Sequence, residues 1–215
     1  NKMAHIENIF ICITVPLLIS LFFIKGKQRS FTMFICIGMS ICMASAYVNS
    51  FFMTMYGADA VSTAIQIAPV CEEIMKLLPL LFFILIFEPR PGEIIPAAIA
   101  IAAGFATFEN VCYLSENGAG DIALLLVRGV SAGSLHILCG IAMGYGIAYV
   151  FKQHWLAAAG TLGILGANIV FHAIYNLLVT SDSAWQEVGY IFPSLLILCI
   201  FVLKGLLPKI NLRLE

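Results

Sequence analysis

Long apolar runs separated by short polar stretches set the pattern of the chain. A helix crossing the hydrocarbon core of a bilayer needs roughly 20 predominantly apolar residues. The pattern predicts about seven such helices. They run over Ile6 to Ile24, Phe31 to Tyr56, Ala60 to Phe87, Ile94 to Leu114, within Ile122 to Phe151, Ala157 to Val179 and Val188 to Leu207. Pro69 and Pro79 predict tilt or kinks in the third helix, and Gly129 to Gly133 predict a break in the fifth. No internal repeat, low-complexity tract or long linker interrupts the series. The expected fold is all-α: a polytopic membrane protein forming a single transmembrane domain over residues 1–215. With loops this short, function must sit in the helices.

Composition agrees with that pattern. Of the residues, 61% are hydrophobic and 11% charged, where a soluble domain carries about 25% charged residues. The mean hydropathy of +1.01 belongs to a chain whose solvent is the lipid bilayer. Net charge is −1 and no nucleic-acid motif is present, so nucleic acid is not an expected partner. The seven cysteines lie in apolar runs without a CxxC pair, which reads as small buried hydrophobes rather than a disulfide frame or zinc ribbon. The first apolar run has no basic leader and no A-x-A site, so it reads as a retained helix. The basic residues then order the topology. Lys25, Lys27, Arg29, Arg90, Lys152, Lys204, Lys209 and Arg213 fall on one side of a seven-helix bundle. Asp59, Glu116, Asp121, Asp182 and Glu187 fall on the other, with Lys2 near the N-terminus. The positive-inside rule gives a multi-pass protein of the cell membrane with its N-terminus outside and its C-terminus cytoplasmic.

Ionisable groups inside a bilayer are expensive and mark function by default. Four clusters stand out: Glu72-Glu73-x-x-Lys76 on the third helix, Glu109-Asn110 on the fourth, His136 on the fifth, and His172-x-x-x-Asn176 on the sixth. Helical rise puts Glu109, His136 and His172 on the order of 8–12 Å below the outer surface. Glu72 comes out about 18 Å down if its helix runs straight from Ala60, and level with the others if the helix tilts or starts later. One buried site in the outer half of the bilayer, at the bundle core, is the expectation. Glu72 and Lys76 are four apart and share a face, whereas Glu72 and Glu73 diverge by about 100°. His172 and Asn176 also share a face. The small residues from Ala97 to Ala106, with Gly104, predict close packing of the fourth helix. The glycines at 140–146 and 160–166 read as packing faces too.

Blander readings exist for each cluster. Glu72, Glu73 and Lys76 also read as a structural ion-pair set, Glu109 with Asn110 as an interhelical hydrogen-bonding pair, and each histidine as a packing residue. Arg128 reads as a snorkelling or interface residue. Tyr113, Trp155, Trp185 and Tyr190 fit aromatic belts. The functional reading rests on the coincidence of the four clusters. Hydrolysis of a peptide bond needs an activated water, a proton donor for the leaving amine and a stabiliser for the oxyanion. A desolvated carboxylate can be the base, and histidine or asparagine can supply donors. A divalent metal such as zinc is the alternative, held by Glu109, His136 and His172, although the H-E-x-x-H pattern is absent. Ser131 and Ser134 lie near His136 in sequence, but no nucleophile motif surrounds them.

Taken in order, Glu72-Glu73-x-x-Lys76, Gly104-Phe105-Ala106-Thr107-Phe108-Glu109-Asn110 with Tyr113-Leu114, Arg128, His136 with Gly140-x-x-Met143-Gly144, and His172-x-x-x-Asn176 occupy about residues 65–180. In that ordered set the chain resembles the PrsW family of membrane proteases, relatives of the CAAX prenyl protease and bacteriocin-processing group of glutamate-dependent intramembrane enzymes. The first two helices and the last resemble the family only as generic spans. The resemblance implies a bacterial intramembrane protease acting in regulated intramembrane proteolysis. Its substrate class is a single-span membrane protein, and its reaction is site-one cleavage of an anti-sigma factor near the extracytoplasmic side. It implies Glu72 as the base that activates water without a cofactor, Glu73 and Lys76 in support, His136 and His172 orienting water or the oxyanion, and Asn176 assisting. Asn110 and Arg128 are supporting candidates, and Glu109 stands where CAAX-type relatives carry a histidine. Two readings from other classes remain beside it, a proton-coupled transporter and a non-catalytic membrane scaffold.

Overall fold

A computed structural model describes residues 6–117 and 122–206. Its elements are α1 (Ile6–Ser20), α2 (Gly26–Tyr56), the single turn α3 (Ala60–Ser62), a π-helical turn (Thr63–Ile67), α4 (Ala68–Phe87), α5 (Pro91–Asn117), α6 (Ile122–Val150), α7 (His154–Val179) and α8 (Ala184–Leu206). No strand occurs among the described residues. The third expected helix is the composite of α3, the π turn and α4, so each expected helix has its counterpart in an all-α, polytopic membrane protein. The helices α2, α5, α6, α7 and α8 are long and apolar enough to cross a membrane. The other two differ for visible reasons: α1 has 15 residues, and α4 carries Glu72, Glu73 and Lys76 in its first half.

Short connections make successive helices antiparallel. Lys25, Arg90 and Lys152 therefore sit at one end of the bundle, and Asp59 and Asp182 at the other. Asp59 accepts from the Ser62 N–H at 2.7 Å and caps α3. That bond holds its carboxyl below the usual carboxylate range. Lys2, Asp121, Lys209 and Arg213, which also entered the predicted topology, lie outside the described residues.

The bundle is tightest where α2 meets α5. A Cβ on Gly38 would collide with the carbonyl oxygen of Ile101, and one on Gly104 with that of Ile35. Main chain touches main chain there, as the run of small residues predicts. On the other face of α5, Gly144 of α6 comes against Ile95, with a Cβ reaching 3.0 Å. Phe34, Leu80, Ile101 and Ile147 fill the core between these helices. Three expectations need correction. The helix α6 is continuous through Gly129–Gly133, which keeps its backbone polar groups satisfied within the helix. Gly163 and Gly166 have nothing within 4 Å and are not packing faces. All the cysteines are free as expected, but Cys12 and Cys199 are exposed rather than buried.

The predicted irregularity in the third helix is the π turn. Pro69 has no N–H to give, and the Ala68 N–H bonds to Thr63 O, five residues back. The carbonyl of Ala64 is thereby left without a helical donor. Asn176 of α7 supplies one, its Nδ2 donating to Ala64 O at 2.7 Å. Pro79 sits inside α4 without ending it.

Candidate active site

Glu72 and Glu73 are neighbours on α4, so helical geometry sends their side chains to different partners. Glu73 is turned into the bundle. Lys76 Nζ donates to its Oε1 at 2.6 Å, and His172 Nδ1 lies 2.9 Å from the same oxygen. Lys76 therefore pairs with Glu73, three residues away, rather than with Glu72, four away; both spacings share a helix face. Glu72 faces α2 and α7 instead. Asn49 Nδ2 donates to its Oε1 at 3.3 Å. Its Oε2 has no hydrogen-bond partner and lies 3.8 Å from His172 Nε2.

The hydrogen-bond partners fix where the histidines carry their protons. Glu73 is an acceptor, so His172 bears a proton on Nδ1, and the neutral imidazole directs its Nε2 lone pair toward Glu72. The environment of His136 is the reverse. Its Nδ1 lies 3.0 Å from Lys76 Nζ, and an ammonium can only donate. The proton of His136 is therefore on Nε2, which donates to Glu109 Oε2 at 2.5 Å. Lys76 thus links the two histidines, touching Glu73 on one side and His136 on the other, with the Phe105 ring 4.9 Å from its ammonium.

Glu109 is shared. Besides His136, it meets Arg128 Nη2 at 3.4 Å. Arg128 does not snorkel. Its side chain is 20% exposed, its guanidinium lies 3.8 Å from the centre of the Tyr113 ring, and it lines a partly open cavity of about 210 Å³. Glu72, Glu109, His136, His172 and Asn176 line the same cavity. The four clusters therefore meet in one place, with Glu72 level with the histidines. Asn110 lies away from this cavity, its Nδ2 3.9 Å from a Cβ built on Gly129. Asn176 reaches the cavity but spends its amide on Ala64. Ser131 pairs with Tyr175 at 2.9 Å and Ser134 with Ser194 at 3.3 Å, so neither serine pairs with His136. Asn49 is the contributor that sequence reasoning missed. A polar side chain near the end of an apolar helix was its only signal.

The family described as "PrsW family intramembrane metalloprotease" matches residues 27–204. The chain belongs to the PrsW family. Among PrsW proteins, the Protease PrsW of Clostridioides difficile is 25% identical over 227 residues, 95% of this chain and 89% of that protein. That of Oceanobacillus iheyensis is 30% identical, covering 70% of this chain and 68% of that protein. That of Bacillus subtilis is 29% identical over 109 residues, so the match spans about half of that relative's length (46%) and 49% of this chain. No solved structure matches the chain. The PrsW match reaches from Lys27 into α8 and so includes helices beyond the span of the ordered motifs.

The PrsW description raises the question of a metal. Glu72, His136 and His172 each bring one ligand atom within 4.8 Å of the others. That grouping differs from the Glu109, His136 and His172 set expected from sequence. Two of its members suit a cation: Glu72 Oε2 is an orphaned acceptor, and His172 offers a lone pair backed by a carboxylate on Nδ1. His136 does not. With Lys76 donating to Nδ1, the Nε2 nitrogen carries a proton and has no lone pair to give. A catalytic zinc takes about three protein ligands, and in this hydrogen-bonded arrangement the set does not fit one.

Proposed function

We propose that this chain is an intramembrane endopeptidase in which Glu72 activates water. The observation that carries the reading is a pair of acceptors on two residues that line one cavity, Glu72 Oε2, which has no hydrogen-bond partner, and His172 Nε2 at 3.8 Å from it. That separation is too long for a direct hydrogen bond and suits a water held by both. Glu72 takes one proton of the water as its oxygen attacks the scissile carbonyl. His172 Nε2 accepts a hydrogen bond from the water's other O–H and aims the oxygen, and that hydrogen stays on the attacking oxygen. Glu72 then returns the proton to the leaving amine, so one C–N bond breaks and one C–O bond forms. Glu73 and Lys76 touch no substrate in this scheme. They hold the tautomers of His172 and His136, and Asn49 holds Glu72.

The resemblance and the site's position support the finer reading. The cavity lies toward the end of the bundle that bears Asp59 and Asp182, the extracytoplasmic end under the positive-inside rule. The N-terminus is then outside and the C-terminus cytoplasmic. The substrate class is a single-span membrane protein, with site-one cleavage of an anti-sigma factor as the reaction. A second, metal-dependent reading is favoured by the family's description and by the lone pairs on Glu72 Oε2 and His172 Nε2. The test is cleavage of a single-span anti-sigma factor by purified protein, with and without 1,10-phenanthroline. Cleavage that survives the chelator and is lost in Glu72→Gln supports the glutamate reading. Loss with the chelator moves the site to metal chemistry, and failure of the wild type to cleave overturns both.

A further inference from the structure

Attack on a carbonyl leaves negative charge on its oxygen, and that charge needs a donor not already in use. The donors expected from sequence are committed elsewhere. His136 Nε2–H goes to Glu109, His172 Nδ1–H to Glu73, and one N–H of the Asn176 amide is held by Ala64 O, which fixes that side chain toward the π turn. The Tyr175 hydroxyl pairs with Ser131. Arg128 differs from all of these. Among the described residues, its Nε is buried without a partner and its Nη2 makes a long 3.4 Å contact with Glu109. The Tyr113 face steadies the guanidinium plane at 3.8 Å. Among the described residues, the buried side-chain N and O atoms without partners are two acceptors, Glu72 Oε2 and Asn49 Oδ1, and one donor, Arg128 Nε. Glu72 and Arg128 line the same cavity. A hydrolytic site needs such a pair, an acceptor for the water's proton and a donor for the developing oxyanion.

We propose that Arg128 is the oxyanion donor of this site, its guanidinium bonding the oxygen of the scissile carbonyl while Glu72 takes the proton from water. The proposal rests on the proteolytic reading above. No bond to Arg128 forms or breaks; it holds charge, and Glu109 is its counter-ion at rest. The rival role is purely structural, a cation that neutralises Glu109, and a lysine would fill that role.

The experiment measures kcat and KM on a single-span anti-sigma factor for wild type, Arg128→Lys and Arg128→Gly. It also measures binding of a peptidyl phosphinate, whose tetrahedral anion mimics the oxyanion. Arg128→Lys is expected to lower kcat about 100-fold and to weaken phosphinate binding by a similar factor, with KM within about threefold of wild type. Guanidinium chloride added at millimolar concentration is expected to restore part of the activity of Arg128→Gly. Wild-type kcat in Arg128→Lys overturns the proposal, as does a kcat loss with phosphinate affinity unchanged or an effect confined to KM. Glu72→Gln is run in parallel. If it still cleaves, the base assignment fails while the phosphinate comparison still reads Arg128; if wild type neither cleaves nor binds phosphinate, both readings fail.

Discussion

Where α2 crosses α5, Gly38 and Gly104 bring main chain against main chain, and Phe34 and Ile101 fill the space beside them. Where α4, α6 and α7 meet, the contacts are polar: Glu73, Lys76, His136 and His172 form one hydrogen-bonded chain, and Glu109 and Arg128 extend it. In lipid, apolar side chains gain little by leaving their solvent, so the first region depends on close approach and loses everything if that approach is blocked. The second region is stabilised by satisfied polar groups, and Glu72 Oε2 and Arg128 Nε are polar atoms that it leaves without a partner. One half of the bundle sets the geometry, and the other uses it.

The comparison predicts graded damage. Gly104→Val drives a side chain into the Ile35 carbonyl. No folded, monodisperse protein is expected on gel filtration in detergent, since backbone cannot yield as a flexible side chain does. Lys76→Met comes next. It removes the cation beside the buried carboxylate of Glu73, leaving it the His172 N–H, and is expected to cost about 3 kcal/mol in thermal or denaturant unfolding. Asn49→Leu removes one hydrogen bond to a charged group and is expected to lower kcat about tenfold with little change in unfolding. Gly163→Ala, with nothing within 4 Å, is expected to shift stability by less than about 1 kcal/mol, in the favourable direction. A Gly163→Ala as damaging as Gly104→Val would erase the distinction between the two regions.

Much of this was legible in the sequence. The apolar runs mark the helices, the four ionisable clusters mark the site, and the small residues around Gly104 mark the close contact. The rest depends on partners that only the fold supplies. Lys76 has an acid on both permitted helical spacings, and the choice of Glu73 follows from His172 facing it across the bundle. Arg128 near a helix end reads as snorkelling until Glu109 and Tyr113 are seen beside it. Asn49 lies outside the ordered motifs, and nothing in its own helix says that it meets Glu72. The glycines in α6 promise flexibility in water, yet away from water a break needs a partner from another helix, as Asn176 is for Ala64, and α6 stays continuous.

The central claim is a division of labour between adjacent glutamates, Glu72 for chemistry and Glu73 for architecture. The most direct test compares Glu72→Gln with Glu73→Gln in cleavage rate and melting temperature. The account predicts that Glu72→Gln lowers cleavage about a thousandfold and melts with the wild type. Glu73→Gln, which weakens the acceptor for both Lys76 and His172, is predicted to melt several degrees lower and to keep a residual rate about 10- to 100-fold down. A Glu73→Gln that melts like wild type yet has no activity, beside a Glu72→Gln that still cleaves, would contradict the account.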